Sequence, residues 1–360
     1  MIFLIRYCLA STLFHLFEGI TFGAWASVLR HERFRISPWR WPRALWITSI
    51  SPWNSWAARA TQRRFGAAVA ATRVVAPVFI LGHYRSGTTH LHELLALDAR
   101  FASPNRFQTF NPSTFLTTER WLAPLVEPFM LPRRVQEDEI AYLILTGLSP
   151  YMDWVFPRSP LGYARTLSFR AADPAEAAAW SRALADFLKA LTLQTGRPLI
   201  LKSPPHTARV RLILSVFPDA RFIHIRRDPY TVFLSTIGLL KAVRPIFRLQ
   251  EGPRAVDEGA VLRGYQEMYD AYFDDRALVP PGRLIEVAYE DLTRDPIGQV
   301  RAIYEGLALA EFAPLLPALE AHLASVAGHR PARHPELDIA ARRRVAVAAA
   351  RCFAEWGYPR

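Results

Sequence analysis

The sequence predicts a doubly wound α/β fold with a central parallel sheet flanked by helices, and three observations carry that prediction. Four short apolar runs, 74–81, 198–202, 221–226 and 283–289, have the length of buried strands. Helix-patterned stretches at 88–97, 207–217, 230–241 and 256–273 separate or follow them, and strand alternating with helix is the order of a parallel sheet with crossover connections. Each run ends in polar residues or Gly/Pro punctuation, and ligands in such folds bind beyond the carboxyl ends of the strands. Those loops are therefore where function is expected.

Residues 101–170 break the alternation with Pro, Phe, Trp and a lone acidic cluster, and read as an insertion on the substrate side. Alanine-rich helices are expected near 175–185 and 340–350. No internal repeat and no Gly/Ser linker marks a firm boundary. The expected organisation is an apolar and basic helical extension over 1–73, followed by the functional domain over 74–360 with the insertion inside it.

At 360 residues, 51% of them hydrophobic, the chain has enough apolar material for a packed core, which argues against disorder. The balance of 44 Lys+Arg against 32 Asp+Glu gives +12. That excess favours anionic partners such as nucleotides, phosphate groups or an acidic membrane surface without choosing among them. Cys8 and Cys352 stand far apart, so neither a disulfide framework nor a cysteine zinc site is expected, and a reducing, cytoplasmic setting is the default. His92-Glu93 resembles the start of a zinc-protease helix, but Ala96 occupies the place of its second histidine, and no metal is expected.

The stretch 1–29 is strongly apolar and then turns basic and Trp-rich through Arg30, Arg33, Arg35, Arg40 and Arg43. Arg6, His15 and Glu18 interrupt it, which disfavours a spanning helix. No small-residue cleavage site suggests a signal peptide. Two readings stay open: an amphipathic helix folded back on the protein, and an interfacial anchor giving peripheral membrane contact through residues 1–45.

The first strand delivers Gly82-His83-Tyr84-Arg85-Ser86-Gly87-Thr88-Thr89 directly into a helical run. Backbone N–H groups of such a loop and the positive end of the helix cradle a phosphate, and Ser and Thr hydroxyls add donors. The Gly82–Gly87 spacing matches a nucleoside-triphosphate loop, which makes the expected architecture P-loop-like and three-layered. Thr88, however, stands where such a loop has its lysine. A kinase or ATPase would lack a central part, while Arg85 supplies a fixed cation.

The third strand delivers Arg226-Arg227-Asp228-Pro229, and the following helix carries Ser235. Arginine grips phosphate bidentately and proline suits the first turn of a helix, so this is a second candidate anion site; strand alternation turns Arg226 to the opposite face from Arg227. Between the two, the second strand ends in Lys202-Ser203-Pro204-Pro205-His206.

Arg85-Ser86-Gly87-Thr88-Thr89 resembles the 5′-phosphosulfate loop of the sulfotransferases that use 3′-phosphoadenosine 5′-phosphosulfate (PAPS), in the arginine form of tyrosylprotein and many bacterial members. Arg227 and Ser235, eight residues apart, resemble the pair that holds the 3′-phosphate in that family. Lys202-Ser203-Pro204 resembles its Lys-Ser/Thr-Pro element, whose lysine lies near the transferred group. Val287-Ala288-Tyr289-Glu290-Asp291-Leu292 resembles its late Tyr-Glu-Asp-Leu element, read here as structural. The resemblance spans about residues 77–309. It implies binding of PAPS and its product 3′-phosphoadenosine 5′-phosphate by Arg85, Ser86, Gly87, Thr88, Thr89, Ser203, Arg227 and Ser235, without a metal. Arg85 and Lys202 are then expected to stabilise the departing phosphate.

Sulfuryl transfer to a hydroxyl or amine also needs a general base. Glu137 and Glu139, in a Gln-Glu-Asp-Glu run that resembles an element of related bacterial sulfotransferases, are candidates, with Tyr142, Tyr151 and Trp154 expected to desolvate them; His206 is the third. The family's histidine falls at Pro204 and its glutamate near Asn105 and Arg106, so neither carries over residue by residue. The apolar insertion and N-terminus suggest a small-molecule, lipid-like or glycan acceptor rather than nucleic acid, met in the cytoplasm or at the cytoplasmic membrane face. A P-loop-like kinase and a non-catalytic nucleotide-binding protein at a membrane are the competing readings.

Overall fold

The computed structural model describes residues 15–126, 135–160, 162–253, 255–326 and 337–360, so the first fourteen residues of the predicted apolar segment lie outside the described part. The chain forms two compact units. One gathers Met1–Arg73, Pro104–Gly196 and Leu240–Val256, and the other gathers Val74–Ser103, Arg197–Leu239 and Asp257–Arg360.

The second unit holds a parallel sheet of four strands, β1 (Val78–Leu81), β2 (Ile200–Lys202), β3 (Arg221–Arg226) and β4 (Leu284–Ala288), in the order β2-β1-β3-β4. Val78 pairs with Ile200 on one side and with Arg221 on the other, and Phe222 pairs with Leu284. The predicted runs start too early in three cases, for local reasons. Pro77 has no N–H to donate and Ala76 has φ 42°, its N–H bonding to the Asp219 carboxylate at 2.8 Å, so β1 begins at Val78. Leu199 makes only an isolated bridge to Ala102, and Arg283 contributes its carbonyl to Phe222 before β4 begins. The predicted helix at 207–217 opens as a 3₁₀ turn, Pro204–Ala208, and becomes α-helical over Val210–Val216.

β1 is continuously apolar and fully buried because both sheet faces are covered there, while β2 and β3 carry their charged residues at their ends. On one face Ile80, Ile200, Ile223 and Ile225 pack with Leu91 and Leu94 of the Thr88–Leu95 helix and with Val300, Ile303 and Tyr304 of the Pro296–Gly306 helix. On the other, Phe79 meets Phe222 at 5.9 Å and the His206 ring edge-on at 5.3 Å. His224 stacks on Tyr272 at 4.2 Å beside Tyr269 and Trp356. Three layers result, and each fully buried Ile or Phe contributes roughly 1.5–3 kcal/mol.

The first unit is helical. Its longest element, Trp41–Ala71, runs 31 residues with Pro52 inside it; Pro52 cannot donate to the Thr48 carbonyl, and the Ser51 hydroxyl does so at 3.1 Å. The described end of the predicted apolar segment folds onto this helix. Trp25, buried in the Phe22–His31 helix, donates its indole N–H to Thr48 at 2.8 Å, and Asn54 donates to the carbonyls of Glu18 and Ile20. The predicted alanine-rich helix is Pro174–Thr195, started by Asp173, whose carboxylate accepts from the Ala175 N–H at 2.8 Å.

Candidate active site

The loop after β1 is shaped by what glycine allows. Gly82 has φ 142°, and a Cβ there would lie 2.7 Å from the Ile225 carbonyl oxygen and from the Ser86 hydroxyl. Gly87 has φ 101° and caps the Thr88–Leu95 helix; a Cβ on it would lie 2.3 Å from the Tyr289 ring. Ser86 is fully buried, and both its N–H and its hydroxyl bond to the His83 carbonyl, so it closes the turn. Two groups from elsewhere hold the loop from behind: the Thr207 hydroxyl accepts from the Gly82 N–H at 2.7 Å, and the Tyr269 hydroxyl accepts from the His83 N–H at 3.1 Å. His83 itself is buried against Tyr265, and burial pushes its ring down to about 4, so it stays neutral near pH 7. The helix N-terminus therefore presents its positive end at a rigid turn.

Arg85 adopts φ 69°, a left-handed conformation that costs a non-glycine residue energy. Its exposed side chain donates from Nε to the Ser235 hydroxyl at 2.8 Å. Arg227, at the end of β3, donates from Nη1 to the Arg85 carbonyl at 3.0 Å and lies over the Tyr289 ring, 4.0 Å from its centroid. Arg226 turns away, donating to the Trp356 carbonyl at 3.0 Å. Asp228 starts the next helix by accepting from the Tyr230 and Thr231 N–H groups, and Pro229 occupies its first position.

Lys202, at the end of β2, is only 3% exposed, and its Nζ lies 3.3 Å from the Thr89 hydroxyl beside the same helix N-terminus. A nearly buried ammonium next to the positive end of a helix is an arrangement that an anion stabilises. Ser203 and His206 are fully buried in the turn that follows, with the His206 ring behind the sheet against Phe79.

Strand order explains why these pieces meet. The chain leaves β1 for β2 on one side and leaves β3 for β4 on the other, so the loops leaving β1 and β3 diverge at their carboxyl ends and open a crevice there. The second unit thus brings together Arg85, Ser86, Gly87, Thr88, Thr89, Lys202, Arg227 and Ser235.

The first unit carries the acidic cluster. Glu137 is half-buried and accepts a short hydrogen bond from the Tyr151 hydroxyl, whose ring stacks on Trp154 at 4.2 Å. Asp138 is sealed by the Tyr142 hydroxyl at 2.7 Å, and Glu139 is fully buried at the start of the Glu139–Thr146 helix. The same unit holds a cavity of about 610 Å³, lined by Phe65, Val69, Leu116, Leu145 and Phe187 with Arg59 at one side.

Two loops rich in cations and N–H donors at one topological switch point, the first without the usual lysine, have the chemistry to take a nucleotide bearing phosphates on both sides of its ribose. A profile of the sulfotransferase family matches residues 77–314. The chain belongs to the sulfotransferase family. It is 38% identical over 327 residues to the ω-hydroxy-β-dihydromenaquinone-9 sulfotransferases Stf3 of Mycobacterium bovis and Mycobacterium tuberculosis, a match that covers 88% of this chain and 84% of theirs. The fold is that of the sulfotransferase STF9 of Mycobacterium avium, with TM-score 0.72 at 21% identity over 90% of this chain and 88% of the other. It is also that of STF1 of Mycobacterium tuberculosis, with TM-score 0.63 at 17% identity over 90% of each.

The protein is a sulfotransferase, as its loops predict, and membership of the family implies PAPS as the donor. Sequence reasoning missed three of the residues that shape its phosphate loop. Tyr289 was legible only as part of a strand end, whereas its ring fixes both Gly87 and Arg227; Thr207 and Tyr269, which hold Gly82 and His83, carried no local signal.

Proposed function

We propose that this sulfotransferase moves the sulfuryl group of PAPS to a hydroxyl at the end of a long, lipid-like acceptor, working at the cytoplasmic face of a membrane. The hydrogen bond from Arg85 to Ser235 carries the donor half of this reading, because it joins the loop suited to the 5′-phosphosulfate with the helix suited to the 3′-phosphate. The helix N-terminus and Thr88 and Thr89 would grip the 5′-phosphosulfate, Arg227 and Ser235 the 3′-phosphate, and Ser203 would support Lys202.

In the transfer, the acceptor O–H loses its proton to a carboxylate, its oxygen forms the new bond to sulfur, and the bond from sulfur to the bridging oxygen breaks. The electron pair stays on the departing phosphate, where Arg85 and Lys202 stabilise it. Glu137 is the preferred base over Glu139 and His206. It is half-buried, whereas the other two are fully buried and a base must reach the acceptor within hydrogen-bond distance.

The lipid-like acceptor is supported by the relatives that act on a hydroxylated menaquinone; the cavity in the first unit, lined by Phe65, Val69, Leu116 and Phe187 on one hand and by Arg59, Gln62 and Asp186 on the other, would take a chain with a polar end. Peripheral membrane contact involving residues 1–45 belongs to the same reading. Calorimetry tests the donor half: adenosine 3′,5′-bisphosphate should bind without metal and Mg·ATP should not. Transfer of label from PAPS to ω-hydroxylated polyprenyl quinones, compared with short water-soluble alcohols, tests the acceptor half. Equal transfer to the short alcohols would overturn it.

A further inference from the structure

We propose that the outward face of the Trp41–Ala71 helix, with Trp39 just before it, docks this sulfotransferase on an anionic lipid bilayer. The proposal deepens the peripheral-membrane part of the function above and rests on it, but it names a surface that lies mostly beyond residue 45.

Of the ten tryptophans in the chain, Trp39, Trp41, Trp46, Trp53 and Trp56 fall within eighteen residues and are 86%, 40%, 39%, 54% and 58% exposed. Burying a tryptophan is among the largest single gains available to a fold, so five left in solvent, four on one helix and one just before it, call for an occupant. They are not scattered. Leu45, Trp46, Ser49, Pro52, Trp53 and Trp56 recur at helical spacing on one side, while Ala44, Ile47, Ser51, Asn54, Ala57 and Thr61 are buried on the other. Trp53 stacks on Trp56 with centroids 4.8 Å apart, so these two rings form one aromatic surface on the outer face. In the second unit the exposed large apolar residues are lone aliphatics such as Leu278, Ile339 and Val347, which need no partner.

Charge selects the occupant. From residue 33 to residue 73 the sequence contains eight arginines and no Asp or Glu; Arg43 is buried and Arg40 pairs with Glu251, which leaves Arg33, Arg35, Arg59, Arg63, Arg64 and Arg73 to set the charge of this stretch. Arg59 and Arg63 are exposed and continue the Trp56 side one and two turns further on, next to exposed Arg64. Tryptophan beside arginine on one helix face is the chemistry of the headgroup zone, where indole rings sit between hydrocarbon and water and guanidinium groups meet lipid phosphates. A second copy of the chain using this face would offer those arginines no carboxylate from residues 33–73. Because Ile47, Asn54 and Thr61 are buried on its other side, the helix would lie along the interface rather than cross it. Arg59 borders both this face and the cavity in the same unit, so docking would bring the cavity beside the bilayer that supplies an apolar acceptor.

The test is flotation of the full chain with vesicles of phosphatidylglycerol and phosphatidylcholine, against vesicles of phosphatidylcholine alone. Adenosine 3′,5′-bisphosphate binding and thermal melting are measured on the same preparations. Wild-type protein should float with the anionic vesicles, less so at high salt, and with little of it on the neutral ones. The triple variant Trp46→Ser, Trp53→Ser, Trp56→Ser should lose more than about tenfold in vesicle affinity. Each of Arg59→Gln, Arg63→Gln and Arg64→Gln should lose about fivefold. All should keep nucleotide binding and melting temperature, since every side chain changed is exposed and none belongs to the phosphate loops. Wild-type protein that stays in the soluble fraction, or a triple variant that floats as well as wild type, would overturn the proposal. So would light scattering that reports a dimer dispersed by the tryptophan changes with no vesicle binding, which would assign the face to a second copy. Failure of the wild-type chain to bind adenosine 3′,5′-bisphosphate would instead sink the sulfuryl-transfer reading and leave the vesicle result standing.

Discussion

The Arg227 guanidinium lies over the Tyr289 ring, 4.0 Å from its centroid, and the same ring fills the space that a side chain on Gly87 would need. One aromatic side chain at the end of β4 thereby braces the loop after β1 and the arginine after β3.

The brace predicts separable effects at Tyr289 and Gly87. Tyr289→Phe keeps the ring and should bind adenosine 3′,5′-bisphosphate nearly as well as wild type, whereas Tyr289→Ala should weaken binding about three- to tenfold, the scale of one cation–π interaction. Gly87→Ala adds a clash and a left-handed φ, about 1–3 kcal/mol of strain, and should weaken binding further. Isothermal titration checks all three, and equal affinity of Tyr289→Ala and wild type would remove the brace.

Arg85→Ala and Arg227→Ala should each cost about 2–5 kcal/mol of nucleotide binding or transition-state stabilisation, the scale of removing a charge-assisted hydrogen bond to phosphate. Lys202→Ala should act chiefly on the chemical step, lowering single-turnover rate by about 10²–10³ with a smaller change in affinity. Near-normal transfer in any of the three would count against its assigned role.

Accessibility separates the base candidates. Glu137→Gln should lower turnover by about 10²–10⁴ with PAPS affinity retained. Glu139→Gln and His206→Ala, both at fully buried positions, should show first as lower melting temperature. Full rate in all three variants would place the base on another residue.

Glu18 gives a pH signature of stability. Burial pushes its carboxyl up from 4.5 to about 7, although Arg106, 3.1 Å away, pulls it down. A folded pKa above the unfolded one means that the folded state holds more protons between those two values, so this group makes the protein less stable as pH rises from 4.5 to about 7. Glu18→Gln does not titrate. Its denaturation midpoint relative to wild type should therefore rise across that window and level off above it, and a pH-independent difference would show that Glu18 ionises normally.

Much of the fold was readable in the chain because strands buried on both faces are apolar without alternation: 78–81 is such a run, and 200–202 and 221–226 come close, with charges at their ends and His224 inside the latter. Boundaries were less readable. Ala76 and Pro77 are apolar and look like strand, yet a left-handed φ and a missing donor exclude them, and hydropathy carries neither property. The Pro204–Ala208 turn extended the same error to a helix start.

By itself the sequence determined the parts that the proposed donor site uses: a lysine-less glycine loop, Lys202 after the second strand, and Arg227 with Ser235 after the third. Those are local patterns, fixed by which residues permit a tight turn, a helix start or a grip on phosphate. Only the tertiary structure decided that Arg85 touches Ser235 across 150 residues, that Tyr289 braces Gly87, that Glu137 is reachable while Glu139 is buried, and that five tryptophans face outward together. Such neighbours are set by strand order and by the packing of one element on another, and no single stretch of chain contains both sides of a meeting between distant elements.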